Sequence, residues 1–267
     1  MIPGEINIKT PEPYYSGLAY LETLLTWPTL TNLTLHNMNT IDGVFNDDTG
    51  ATSKLRTLRL FSSSIDPTSL HKLMSAMENL QELVIHSMTS HEVYEWEWDS
   101  SAYDEALEPV STTLKVLSLV KEQGQPCERP LRLKDMTALE YVSADIDMWF
   151  GYDFVTYTVS RETVFQEMLP PNLKTMRIGG WKGGYGAMGL NRRYDEDDIK
   201  AYILKTMVYC LGKFAPAMEH VEFEKDWHIG KEGIVNLPEE FRRFRSSVEA
   251  HGISVSMTDG DNALSRL

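Results

Sequence analysis

The sequence predicts an α/β solenoid in which parallel strands alternate with helices. The first observation is a short pattern that occurs seven times: an apolar residue, two variable residues, an apolar residue, one variable residue and a third apolar residue. The seven segments are Leu30/Leu33/Leu35, Leu55/Leu58/Leu60, Leu80/Leu83/Ile85, Leu114/Leu117/Leu119, Leu139/Val142/Ala144, Leu173/Met176/Ile178 and Met218/Val221/Phe223. Because side chains alternate along a strand, the pattern predicts one strand per segment with a single buried side.

The second observation is the spacing of these segments. The first three begin at residues 30, 55 and 80, and this interval falls within the leucine-rich-repeat period of roughly 20–29 residues. We therefore predict a leucine-rich-repeat horseshoe with a concave parallel β-sheet and irregular helices on its convex side. A solenoid grows by adding coils and needs no second core, so a single domain is expected over residues 1–267.

The third observation is the presence of amphipathic stretches between the strand segments. Asp66 and Pro67 precede Leu70, Leu73 and Met74, which share one face of a helix that starts near residue 66. The same reasoning predicts helices within 18–25, 164–169, 195–214 and 238–250. Alternation in Ile253/Val255/Met257 predicts a closing edge strand.

Longer spacings later in the chain predict insertions. The gaps between segment starts grow to 34 and 45 residues, and three insertions account for them, at about 89–106, 145–158 and 179–195. They contain Trp96, Trp98, Trp149 and Trp181, among other aromatic residues. Aromatic residues in such segments either anchor the segment onto the body of the protein or form exposed contacts for a partner.

Composition indicates an ordinary globular protein inside the cell. Of 267 residues, 42% are hydrophobic and 24% charged, and no apolar run approaches the roughly 20 residues that cross a bilayer. The N-terminal sequence lacks the basic and apolar segments of a cleaved signal. We expect Cys127 and Cys210 to be reduced, a cytoplasmic or nuclear location, and no membrane association.

The net charge of −14 argues against nucleic-acid binding, because the phosphate backbone would be repelled. Two interpretations of this acidity stay open. The acidic residues keep a large surface soluble, or they favour a basic protein partner.

The predicted strand register places a set of side chains on the concave face. His36, Phe61 and His86 occupy corresponding positions in the first three coils, and aromatic anchors often dominate interface energies. Phe61 is therefore a candidate hot spot, unless a loop folds over it. The candidate partner-binding residues on the concave face and its rim are His36, Arg59, Phe61, His86, Trp96, Trp98, Tyr141, Asp145, Trp149, Arg177 and Trp181.

Enzymatic and metal-binding motifs are weak. The run from Gly184 to Gly189 has the letters of the dinucleotide fingerprint, but no helix can start directly after it. His86, His91, Glu92 and Glu95 lack the His-Glu-x-x-His arrangement of zinc enzymes. We predict no enzyme, no cofactor and no metal. An enzyme would require titratable groups to converge, for example around Glu82, His86 and His91.

A family resemblance can be stated from these features. The segment LETLLTWPTLTNLTL, residues 21–35, the helices of uneven length and the irregular insertions resemble the leucine-rich-repeat region of fungal F-box-type proteins. The resemblance implies capture of a protein substrate for a ubiquitin ligase on the concave face. We find no F-box in this sequence, so a link to the cullin adaptor requires an F-box outside this chain. The alternative is a freestanding leucine-rich-repeat scaffold or inhibitor.

Overall fold

The structure, a computed structural model, describes residues 4–14, 24–40, 53–87, 100–121, 127, 129–155, 160–180, 196–224 and 237–258. Within these ranges the strands are β1 Glu5–Tyr14, β2 Asn32–Thr40, β3 Thr57–Phe61, β4 Ser64–Ile65, β5 Glu82–Ser87, β6 Val116–Lys121, β7 Tyr141–Ala144, β8 Thr175–Ile178, β9 His220–Glu224 and β10 Ser254–Thr258. The α-helices are α1 Pro67–Ser75, α2 Ser100–Leu107, α3 Ile146–Val155, α4 Arg161–Met168, α5 Glu196–Phe214 and α6 Leu237–Glu249.

The strands form a parallel sheet in chain order. Nine of them follow one another from β1 to β10, and the short β4 pairs separately with the end of β2. All seven predicted segments are strands, and their apolar positions are in register, as in the row Leu33, Leu58 and Leu83. The α/β class and the parallel sheet are therefore confirmed.

One face of the sheet carries the core. The second and third apolar residues of each predicted segment are buried, and they belong to the same cluster as the buried residues Leu70, Leu73 and Met74 of α1. Burial of such a side chain contributes about 1.5–3 kcal/mol. Val84 is also fully buried but lies outside this cluster, because its side chain points to the other face of the sheet.

The helices follow the predicted stretches closely. Asp66 caps α1 by accepting a hydrogen bond from the Ser69 N–H at 2.9 Å, and Pro67 occupies the first helical turn. Helix α4 ends at Met168, just before Pro170. Helices α5 and α6 and the closing strand β10 also lie where the sequence predicts them. In the stretch 18–25, Leu24 and Leu25 are buried, and the rest lies outside the described residues.

Two of the predicted insertions contain packed helices. Residues 146–155 of the second insertion form α3, with Trp149 and Phe150 fully buried. The last part of the first insertion belongs to α2, in which Tyr103 is buried and donates to the Ile65 carbonyl at 2.8 Å. Of the two interpretations of the insertions, anchoring onto the body of the protein applies to these parts, because their aromatic side chains join the core.

Strand β1 was not predicted from the apolar pattern. It carries two apolar residues that pack on the core, Ile6 and Ile8, and it pairs parallel with β2. Two prolines, Pro11 and Pro13, fall within it, which suits the edge position that the strand has among the described elements.

A backbone contact repeats at the entrance of the strands. In seven cases the carbonyl of the residue before a strand accepts two N–H groups from the beginning of the neighbouring strand. Thr31, for example, accepts from Arg56 and Thr57 at 2.8 and 3.1 Å. Seven carbonyls share this arrangement: Gly4, Thr31, Arg56, Gln81, Lys115, Glu140 and Lys174. These backbone hydrogen bonds therefore fix the register of neighbouring strands independently of their side chains.

Within the described ranges, no helix combines the length and hydropathy needed to span a membrane.

Candidate functional site

The face of the sheet opposite the core is the candidate binding surface, and we call it the polar face. Its first row consists of Glu5, Asn32, Thr57, Glu82, Val116, Tyr141, Thr175, His220 and Ser254. Its middle row consists of Asn7, Thr34, Arg59, Val84, Ser118, Ser143, Arg177, Glu222 and Ser256. This assignment agrees with the register predicted from the sequence.

A row of three rings, which we call the aromatic row, lies toward the carboxyl ends of β2, β3 and β5. The ring of Phe61 stacks on His36 with a centroid distance of 5.1 Å and meets the ring of His86 edge-on at 5.3 Å. Adjacent strands place corresponding side chains about 5 Å apart, so the register brings the three rings together as predicted. All three residues are half-buried, so part of each remains accessible.

The backbone turns sharply directly after this row. Asn37 and Ser62, which follow His36 and Phe61, have φ angles of 60° and 49°, in the left-handed region that few non-glycine residues adopt. The hydroxyl of the next residue, Ser63, donates to the Phe61 carbonyl at 2.8 Å, and its N–H donates to the His86 carbonyl at 3.2 Å. These hydrogen bonds stabilise the strand ends that carry the aromatic rings.

Arg59 pairs with Glu82 beside the aromatic row. The Nε and Nη2 atoms of Arg59 both lie 2.7 Å from Glu82 Oε1. Both side chains are partly exposed, and the pair is neutral as a unit. Glu82 and His86 lie in different rows of the polar face. Glu82 pairs with Arg59, and His86 packs against Phe61. These two residues therefore do not form the convergent cleft that an enzyme in this region would require.

The middle of the polar face is closed to solvent. Val84, Ser118, Ser143, Arg177 and Glu222 are all buried. Accessible positions on the middle row therefore lie at its two ends, on β1, β2 and β3 and on β10.

Arg177 is the centre of a buried ionic cluster. Its guanidinium lies 3.2 Å from Glu224 Oε1 and 3.8 Å from Glu222 Oε1, and Glu224 Oε2 also accepts from the Gly180 N–H at 2.6 Å. Two carboxylates surround one guanidinium, so these three groups together carry a net negative charge. Burial of charges is costly unless they are paired and hydrogen-bonded, and this pairing holds β8 against β9.

Tyr141 stands beside the same cluster. Burial raises the pKa of its hydroxyl, the nearby Glu222 carboxylate raises it further, and Arg177 partly offsets these effects. The hydroxyl is hydrogen-bonded with Ser143 and Arg177. Of the predicted site residues, Tyr141 and Arg177 are therefore brought together, in a network that serves the sheet itself.

Three predicted contact residues are buried. The Trp149 side chain has no exposed surface, and Asp145 and Arg177 are 1% and 2% exposed. Trp149 belongs to the core cluster, while Asp145 lies against Gly179, where a Cβ atom would come within 2.4 Å of Asp145 Oδ1. The prediction that these side chains offer contact surface is corrected: packing and pairing within the fold occupy them.

The remaining predicted features fall on other parts of the chain. Trp96, Trp98 and Trp181 lie outside the described residues, and so do His91 and the glycine run 184–189. Within the described part of the chain, no three His, Cys, Asp or Glu side chains are grouped so that they could hold a metal ion. The predictions of no cofactor and no enzyme stay predictions.

The aromatic row is thus the predicted site that the structure assembles. No protein-family model and no curated protein matches this chain. The functional argument therefore rests on the sheet and its contacts.

A second polar cluster, which the sequence did not predict, lies at the other end of the polar face. His220 of β9 contacts the hydroxyls of Ser254 and Ser256 of β10 at 2.6 and 2.8 Å. Small polar residues in a strand carry no periodic signal. The alternation of the two serines around buried Val255, in register with a histidine, was the one available indication.

Proposed function

We propose that this chain is a protein-binding module of the leucine-rich-repeat type. In this proposal the sheet curves into a horseshoe, the polar face is its concave face, and the partner binds at the first strands. The parallel sheet in chain order and the helices gathered on one face support it, since stacked coils of this kind build extended binding surfaces.

The observation that carries the proposal is the half-buried Phe61 ring held between His36 and His86. Residues that dominate interfaces are usually aromatic or arginine side chains in well-packed surroundings, and their truncation costs about 2 kcal/mol or more of binding energy. The two imidazoles and the backbone contacts of Ser63 fix the Phe61 ring before a partner arrives. Little conformational entropy is then lost on binding.

The partner is expected to be basic. The chain as a whole carries a net charge of −14, and the Arg59–Glu82 pair beside Phe61 adds no net charge to the accessible end of the polar face. A Lys or Arg side chain of the partner over Phe61 would gain a cation–π contact of about 0.5–2 kcal/mol. The overall charge would also accelerate the encounter.

The resemblance to F-box-type proteins places this binding in a biological setting. In the first version, the module captures a substrate for a ubiquitin ligase in the cytoplasm or nucleus, with an F-box outside this chain supplying the contact to the cullin adaptor. In the second version, the module is a freestanding scaffold or inhibitor. Both versions require the same binding face and differ in whether the adaptor accompanies the partner.

The test is capture of partners from an extract of the source organism with three forms of the chain. The forms are the unaltered chain, Phe61→Asp and Tyr209→Asp. Tyr209 is the matched control because it is an aromatic residue of α5, 72% exposed, on the helical side of the sheet. Retained proteins are identified by mass spectrometry, and circular dichroism verifies that the variants are folded.

Loss of a protein with Phe61→Asp, and its retention with Tyr209→Asp, is the expected result. Purified partner and chain should then show at least about a thirtyfold increase in dissociation constant for Phe61→Asp, which corresponds to about 2 kcal/mol. If every retained protein survives Phe61→Asp, the aromatic row is not the binding site. Because the ligase version places the F-box outside this chain, capture with the full-length gene product separates the two versions. Recovery of the cullin adaptor with it favours the ligase version, and recovery of a specific partner without the adaptor favours the freestanding one.

A further inference from the structure

The cluster at the last two strands has the arrangement of an activated hydroxyl. Strand register places Ser254 directly beside His220, and side chains two residues apart share a face of a strand, so Ser254 and Ser256 both point toward the imidazole. The Nδ1 atom of His220 lies 2.6 Å from Ser254 Oγ, and its Nε2 atom lies 2.8 Å from Ser256 Oγ.

The direction of each hydrogen bond follows from one further contact. Ser254 Oγ lies 3.0 Å from the Glu219 carbonyl oxygen and donates its proton there. A serine hydroxyl has one proton to donate, so Ser254 Oγ must accept from His220, and Nδ1 carries the hydrogen. In the neutral imidazole Nε2 then holds a lone pair, and the Ser256 hydroxyl donates to it.

We propose that Ser256 is a nucleophile whose general base is His220, and that it accepts an acyl group from a neutral, activated ester. A hydroxyl within hydrogen-bond reach of a base, with the base oriented by a third group, is the arrangement that activates serine. Here Ser254 is the positioning residue, and the Glu219 carbonyl holds it in place. The proposal is independent of partner binding at Phe61, which lies at the opposite end of the polar face.

The chemical step follows from these contacts. Ser256 Oγ attacks the carbonyl carbon of the ester, and its proton passes to His220 Nε2. The carbon–oxygen bond to the leaving group breaks, and the leaving group takes the proton from the imidazolium. The products are an O-acyl serine and a free alcohol or phenol.

The surroundings select the class of acyl donor. Ser256 and His220 are half-buried and Ser254 is exposed, so a small ester can reach the hydroxyl. Glu222 is the register neighbour of Ser256, and Glu219 precedes His220. Glu222 pairs with Arg177 and Glu219 lies near Lys174, so these carboxylates leave little uncompensated charge for an ionic donor, and a neutral ester fits the site.

The experiment uses p-nitrophenyl acetate with the full chain. Release of p-nitrophenolate is followed with time, and peptide mass mapping locates the acetyl group. We expect acetylation of Ser256 to proceed faster than that of any other serine, and to slow by about 100-fold in His220→Gln, the lower end of the contribution of a general base. Ser254→Ala should give a smaller decrease, because the His220 imidazole still accepts the proton but loses the hydrogen bond that orients its ring.

Two further variants keep the test decisive. His251→Gln alters a histidine whose Nδ1 contacts the Ser247 backbone carbonyl, and it should leave the rate unchanged. Ser256→Cys keeps a nucleophile at the site and should still be acetylated there. Acetyl groups spread over lysines without enrichment at Ser256, or an unchanged rate in folded His220→Gln, would overturn the proposal.

Discussion

The indole N–H of Trp149 donates to the backbone carbonyl of Arg177 at 2.8 Å. This hydrogen bond joins α3 to β8 on the core side, while the Arg177 side chain pairs with Glu222 and Glu224 on the polar face. One residue therefore connects the buried helix with the ionic cluster.

Replacement of Trp149 by phenylalanine should destabilise the protein by about 1–3 kcal/mol, because the Arg177 carbonyl loses a buried donor. The measurement is urea unfolding followed by circular dichroism. Trp27→Phe is the control: its side chain is 46% exposed, and the change should stay within about 0.5 kcal/mol. Equal effects of the two substitutions would show that the indole hydrogen bond contributes nothing.

Removal of the buried cation should cost more than removal of an exposed one. Arg177→Met leaves Glu222 and Glu224 buried without their counter-ion, and we expect a loss of about 3–5 kcal/mol. Arg59→Met breaks a partly exposed pair and should cost less than about 1 kcal/mol.

The triple variant Arg177→Met, Glu222→Gln, Glu224→Gln tests the cause of that loss. It removes the uncompensated charges together with the cation, so the free energy of unfolding should recover in part relative to Arg177→Met alone. A triple variant less stable than Arg177→Met would contradict the ionic explanation.

Gly151 allows a close approach that other residues cannot. Its φ is 62°, and a Cβ atom would lie 2.5 Å from the carbonyl carbon of Arg129, so Gly151→Ala should cost about 2–5 kcal/mol through strain and overpacking. Gly252 has a φ of 83°, and a Cβ atom there would meet nothing within 4 Å, so Gly252→Ala should destabilise the protein by about 1–2 kcal/mol. Gly212→Ala, in α5 with open space around it, should stabilise by about 0.5–1 kcal/mol. Urea unfolding of the three variants checks this order.

Alkaline pH should destabilise the fold through Tyr103. Burial raises the pKa of this hydroxyl, and the neighbouring Asp66 and then Cys127 add to the effect. The unfolded chain loses the tyrosine proton above about pH 10 while the native state keeps it, so the stabilisation is complete below that pH and is lost above it. Tyr103→Phe should be less stable than the unaltered chain by about 1 kcal/mol at neutral pH, and the difference should narrow as the pH rises. A difference that is constant with pH would contradict this assignment.

The apolar positions of the strands could be predicted from the sequence because burial on one face repeats with a fixed interval. Leu33, Leu58 and Leu83 are therefore found in register, and the adjacency of His36, Phe61 and His86 followed from the same alignment. Trp149 could not be placed, because an aromatic residue among acidic ones has the same composition in an exposed loop and in a packed helix. Strand β1 could not be predicted, because its two core-packed residues are too few to establish the repeated apolar pattern and its two prolines are unusual in a strand.

The seven carbonyls that each accept two N–H groups align the strands regardless of the length of chain between them. Segment starts 25 residues apart and segment starts 45 residues apart end in the same backbone contact, as the carbonyls of Thr31 and Lys174 show. Connecting segments can therefore lengthen, shorten or be exchanged during evolution or by engineering without disturbing the rows of side chains on the polar face. The sheet therefore keeps its register while the segments that connect its strands vary in length.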